Sequence, residues 1–153
     1  MRNVQLVQVR EVMTTHPARI RYDANLHQAA ELVAMSGVSD LMVVGDSSEF
    51  VGVLSEGDIL RAALPDIDEI MDEGGSLNTA FGIFLNKARN LADLPITPLV
   101  IQEPIVVDPD DHVAKATTVL IDRQIRTLPV VKDGKLVGTV SRADVCRAVI
   151  GTL

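Results

Sequence analysis

The chain has no tryptophan, one tyrosine, three phenylalanines and a single cysteine among 153 residues. With only Cys146 present, no disulfide can form within the chain, and the fold must be held by its core alone. That core is aliphatic: 47% of residues are apolar and almost all of these are Val, Leu, Ile, Ala or Met. Cys146 stands at helical spacing beside Val145, Val149 and Ile150, so it is expected to be a small core residue rather than a nucleophile. No apolar run approaches the roughly 18 residues of a membrane span, and the first ten residues contain no signal-type apolar stretch. A cytoplasmic protein without a membrane partner is expected. Basic residues are also in deficit, 14 against 21 acidic ones for a net charge of −7. This balance disfavours a nucleic-acid partner, because phosphate-backbone affinity comes from clustered Lys and Arg.

Motifs of catalysis are missing as well. His16, His27 and His112 occur at no metal-ligand spacing, and Gly134-Lys135 lacks both the earlier Gly and the following hydroxyl of a phosphate-binding loop. An enzyme is not expected, and no obligatory cofactor is implied.

What the chain does have is an internal duplication. Residues 12–44 align without a gap on 99–131, and 50–64 on 136–150, with 12 identities in the 48 aligned positions. A repeat of this length is a supersecondary unit that cannot bury its apolar face alone, so the two copies are expected to share one fold. Each copy opens with an extended segment containing Pro, at Pro17 and Pro104. A helix follows, marked by Asn25 and Gln28 as a capping box before Leu26, Ala29, Ala30 and Val33, and by Val113, Ala116, Thr117 and Leu120 in the second copy. Two apolar runs around a polar tip then predict a hairpin, with Asp133-Gly134 as the tighter turn. A last helix spans 57–64 or 143–150, giving the order strand, helix, strand, strand, helix. The expected organisation is repeat 1 at 8–64, an acidic and helical insertion at 65–94, and repeat 2 at 95–153. In the insertion, Leu77, Ala80, Phe81, Phe84, Leu85, Ala88 and Leu91 predict an amphipathic helix over 77–91, docked through Phe81, Phe84 and Leu85 either on its own module or across a dimer.

The polar identities concentrate at Gly52-Val-Leu-Ser55-Glu-Gly-Asp58 and Gly138-Thr-Val-Ser141-Arg-Ala-Asp144. Ser followed by Asp three residues later is what a helix N-terminus needs: a hydroxyl to cap a free N–H and an acid at the positive end of the dipole. The same free N–H groups can receive a phosphate. Local sequence leaves both readings open, and the glycine three residues before each Ser favours a ligand approaching the strand.

Together with 10–17 (Arg-Glu-Val-Met-Thr-Thr-His-Pro) and 126–131 (Arg-Thr-Leu-Pro-Val-Val), these two motifs resemble the cystathionine-β-synthase-type (CBS) domain, a module found in tandem pairs. The resemblance covers most of the chain. It implies an α+β fold in which two β-α-β-β-α repeats pack about a pseudo-twofold axis, with up to two clefts between them. Such clefts often hold AMP, ADP, ATP or S-adenosylmethionine. By the same resemblance, Asp58 or Asp144 would meet the ribose, Ser55 or Ser141 the phosphate, and the segments at Pro17 and Pro104 the base. The copies differ in charge: Arg126 and Arg142 in the second stand where the first has Ser39 and Glu56, with Asp40 adjacent. Arginine offers phosphate a bidentate fork, so Ser141, Asp144, Arg126 and Arg142 are expected to form the stronger set and Ser55 and Asp58 the weaker, although a cleft can recruit groups from both copies. The expected function is regulatory, reporting an adenosine-containing ligand to a protein partner from a homodimer. The alternative is a ligand-free dimerisation or interaction module.

Overall fold

The computed structural model describes residues 7–64, 67–72 and 74–151. Its first half runs from β1 (Arg19–Arg21) through α2 (Leu26–Ser36), β2 (Asp40–Val44) and β3 (Phe50–Ser55) to α3 (Glu56–Ala63), after a short α1 (Val9–Val12). Then come α4 (Ile67–Asp72) and α5 (Leu77–Leu91), a 3-10 turn at Thr97–Leu99, α6 (Val113–Asp122), β4 (Thr127–Lys132), β5 (Lys135–Ser141) and α7 (Arg142–Ile150). The fold is α+β and holds the two expected repeats.

Local chemistry accounts for the element boundaries. Asn25 and Gln28 form the predicted capping box of α2, and Gly37 closes that helix in the left-handed region at φ 70°. Asp133 and Gly134 both take positive φ, as a two-residue hairpin turn requires, and β4 and β5 pair antiparallel across them. In the first half β1 lies parallel to β2, and β2 antiparallel to β3. The second half keeps only a vestige of the leading strand, where Val107 bridges Val130 in parallel.

The opening segments cross over between the repeats. Thr14, from the first repeat, pairs with Thr139 of β5, and Ile101, from the second, pairs with Val53 of β3. Each core is completed by the same exchange: Val7, Val9 and Val12 are buried with Leu120, Leu128 and Val140, while Ile96 is buried with Leu26, Leu41 and Leu54. A third cluster, Met42, Val44, Val53 and Leu136, lies between the sheets, whose hairpins join where Phe50 N–H donates to the Gly134 carbonyl and Leu136 N–H to that of Ser48.

The crossover explains the paired glycines differently from the sequence reading. A Cβ at Gly52 would stand 2.2 Å from the Ile101 carbonyl oxygen, and one at Gly138 would stand 2.7 Å from that of Thr14. The space left by the missing side chains is filled by backbone of the other repeat, so these glycines are required without any ligand. Cys146 also departs from expectation, because α7 turns it outward with Val149 and Ile150 and buries Asp144 and Val145 instead. Helix α5 has the predicted length but no fully buried residue. Ile83, Phe84, Ala88 and Leu91 are half-buried, whereas Leu77 (89% exposed), Phe81 (62%) and Leu85 form a second stripe facing away.

Candidate functional site: two clefts between the repeats

Two clefts related by the pseudo-twofold axis lie where the crossovers occur. The first, of about 500 Å³, is lined by Val53, Ser55, Glu56, Gly57, Leu60 and Arg61 from the end of β3 and the start of α3. Its other wall is Ile101, Pro104 and Ile105 from the second opening segment, with Ile125, Arg126, Thr127 and Pro129 at the start of β4. The second cleft, of about 480 Å³, has Thr139, Ser141 and Asp144 facing Thr14, His16, Pro17 and Ala18, with Val38, Asp40 and Met42 at the start of β2. Asp40 and Thr127, which occupy aligned positions in the repeats, line both.

This geometry regroups the residues read from sequence. Each cleft takes its helix start from one repeat, but its opening segment and strand start from the other. Arg126 therefore belongs with Ser55 and Pro104, not with Ser141, and Pro17 belongs with Ser141 and Asp144. The expected four-residue set of Ser141, Asp144, Arg126 and Arg142 is not assembled. Arg142 serves elsewhere, its guanidinium donating to the Leu120 carbonyl at 3.1 Å and so tying α7 to α6. Arg126 is well exposed, with a guanidinium nitrogen 3.7 Å from the Glu56 carboxylate.

Both serines cap their helices, Ser55 Oγ accepting from Asp58 N–H and Ser141 Oγ from Asp144 N–H, each at 3.1 Å. The two aspartates then diverge. Asp144 is 6% exposed and its carboxylate accepts from the Ser141 N–H and hydroxyl, the Thr14 hydroxyl and the Arg147 guanidinium. It is a latch between the repeats. Position 101, which matches Thr14, is an isoleucine with no hydroxyl to offer for a bond across the repeats; Asp58 keeps the bond to the arginine three residues on, Arg61, whose guanidinium donates to it at 2.6 Å and, as the largest influence, holds its carboxyl below the usual aspartate range. Asp58 is not part of the cleft lining, although Arg61 is. Burial pushes the Asp40 carboxyl above its usual range; Arg126 opposes this, and Glu56 and Asp58 add to it.

The sequence reading assigns the opening segments, with Thr14, His16, Ala18 and Ile105 in or beside them, to the base as a whole, and it does not single out Ile101 or Arg61 in one cleft or Thr139 in the other. The usable signal was the repeat alignment itself, since the two lists match position for position at 14/101, 17/104, 18/105, 38/125, 42/129, 139/53 and 141/55. Among the described residues no cluster of side chains has the makings of a metal site, and no helix is long and apolar enough to cross a membrane.

Two strand-helix units exchanging their opening segments around paired clefts define a tandem module. Residues 9–65 and 91–151 match the CBS domain family, and the chain belongs to it. A protein of Methanocaldococcus jannaschii, MJ1426, is 26% identical over 97% of this chain and 94% of its own length. The chloroplastic CBS domain-containing protein CBSX2 of Arabidopsis thaliana is 28% identical over 86% of this chain and 58% of its own. Several curated relatives are longer, the chain spanning 40% to 58% of their length. Among solved structures, CBSX2 in complex with AMP superimposes with a TM-score of 0.71 and 25% identity, covering 94% of this chain and 96% of that one.

Proposed function

We propose that this chain is a regulatory, non-catalytic module that binds an adenosine-containing ligand between its repeats and reports it to a protein partner. The observation that carries the reading is the Ser55 cleft. There the start of α3, the positive end of its helix dipole, shares one cavity with Arg126 and Arg61 and with an apolar wall of Ile101, Pro104, Ile105 and Ile125. An anion at the helix start and arginine forks, and a flat apolar group against the opposite wall, are the two halves of a nucleotide. The likeness to a CBSX2 structure containing AMP supports the same ligand class. Within it, AMP, ADP, ATP and S-adenosylmethionine are the candidates, and residence in the cytoplasm is part of the proposal.

Thermal-shift measurements with each candidate test this, because a ligand that binds only the folded state raises stability by RT ln(1 + [L]/Kd). A melting temperature that climbs with AMP, ADP or ATP concentration is expected. An unchanged temperature at millimolar concentrations of all four candidates would overturn the reading.

The second reading, an interaction module working through dimerisation, is favoured by the exposed stripe Leu77, Phe81 and Leu85 on α5 and by Val149 and Ile150 on α7. A homodimer is part of both readings.

A further inference from the structure

Both arginines that line the Ser55 cleft are held by carboxylates from a single helical turn, because Glu56 and Asp58 stand together in the first turn of α3. A Glu56 carboxylate oxygen lies 3.7 Å from the Arg126 guanidinium, joining the helix start of one repeat to the strand start of the other. Asp58 holds Arg61, whose guanidinium folds back over the same turn, where a Cβ at Gly57 would stand 3.2 Å from it. Asp40 completes the set: it is the cross-strand partner of Ser55, and its carboxyl feels Arg126, Glu56 and Asp58 together. Two cations thus face three acids where the positive end of the α3 dipole meets the cleft. Asp58 lies outside the cleft lining, whereas Glu56 lies in it and is the ion-pair partner of Arg126. The Glu56 backbone is fixed there, its N–H donating to the Ser39 carbonyl at 2.9 Å. The other cleft has no such strap. Position 142, which matches Glu56, is an arginine turned to the Leu120 carbonyl, and position 39, which matches Arg126, is a serine.

We propose that Glu56 is the specificity-determining residue of the Ser55 cleft: its carboxylate stands at Arg126 where a phosphate would bind, and so limits the charge of the ligand, favouring a single phosphate group over a chain of three. This rests on the reading of that cleft as an adenosine site. An anion that reaches Arg126 either displaces Glu56 or settles beside it, and each added negative charge meets the same carboxylate. Both side chains reach solvent, so water screens the repulsion and the discrimination amounts to about five- to tenfold.

Ile101 and Ile105 line this cleft and not the other, so their methyl resonances report on it alone. The protein is titrated with adenosine, AMP and magnesium-free ATP. AMP is expected to bind about five- to tenfold more tightly than ATP. In Glu56→Gln the AMP affinity should rise about threefold and the ATP affinity by a larger factor, narrowing their ratio, while adenosine binding stays as it was. Glu56→Arg, which copies position 142, should carry the trend further and guards against a defect peculiar to one variant. ATP binding at least as tightly as AMP in the wild type, or an AMP-to-ATP ratio unchanged in the folded variants, would overturn the role of Glu56 while leaving nucleotide binding intact. So would an adenosine affinity that rises as much as that of AMP, which would mark a change of shape instead of charge. No response of Ile101 or Ile105 to any of the three would overturn the adenosine reading itself, and this inference with it.

Discussion

Asp144 shows how far a single residue can serve the fold and the site at once. Its buried carboxylate accepts four hydrogen bonds, three from Ser141 and Arg147 of its own cap and helix and one from Thr14, which joins the start of α7 to the opening segment of the other repeat. Hydrogen bonds to a charged group contribute about 1.5–3 kcal/mol, so Asp144→Ala should lower stability by roughly 2–3 kcal/mol before any ligand is considered. Chemical denaturation measures it, and a loss below about 0.5 kcal/mol would show that the latch is slack. Asp40 gives the opposite sign. Its folded-state pKa is raised, chiefly by burial, so its contribution to stability is full at low pH and is lost as pH rises through that raised value. Asp40→Asn should therefore melt at or above the wild-type temperature at pH 7, with the difference vanishing below about pH 4. A variant less stable than wild type at neutral pH would show that the attraction of Arg126 outweighs desolvation. The paired glycines admit a simpler test, in which Gly138→Ala should cost about 1–3 kcal/mol by pressing on the Thr14 carbonyl and Met13.

At the scale of elements, patterning made most of the fold legible. The stripes of α2 and α6, the Asp133-Gly134 turn and the serine caps all depend on neighbours within a few residues, which a sequence displays directly. The crossover of the opening segments was not legible, because Thr14 meets Thr139 and Ile101 meets Val53 through contacts that leave no periodic trace. That single omission misassigned Arg126 and the role of the glycines. Helix α5 has the extent the sequence predicts, and of its two adjacent stripes Ala80–Phe84–Ala88 meets its own chain while Leu77–Phe81–Leu85 is left exposed, a choice that only the neighbouring elements make. Phe84 and Phe81 should behave differently in consequence. Phe84→Ala should lower the melting temperature, whereas Phe81→Ser should leave monomer stability nearly unchanged and weaken self-association in sedimentation. Equal effects on stability would mean that α5 sits otherwise against its own chain.

For the whole molecule, the exchange makes the repeats interdependent although the sequence repeats itself. Val7, Val9 and Val12 complete the second core and Ile96 the first, so neither half buries its own apolar set. Cleavage at the exposed Gly74-Gly75, where both residues take positive φ, should leave halves that elute together in native gel filtration and part only in denaturant. Separation in native buffer would contradict the shared core. The same exchange builds the clefts, and nucleotide binding there is the central claim. Its most direct test is a calorimetric titration of the intact chain and of Arg126→Ala with AMP. The account predicts saturable binding to the wild type and an affinity about tenfold weaker in the variant, whose exposed arginine contributes little to folding. Absence of binding to the wild type, or identical isotherms for the two proteins, would contradict it.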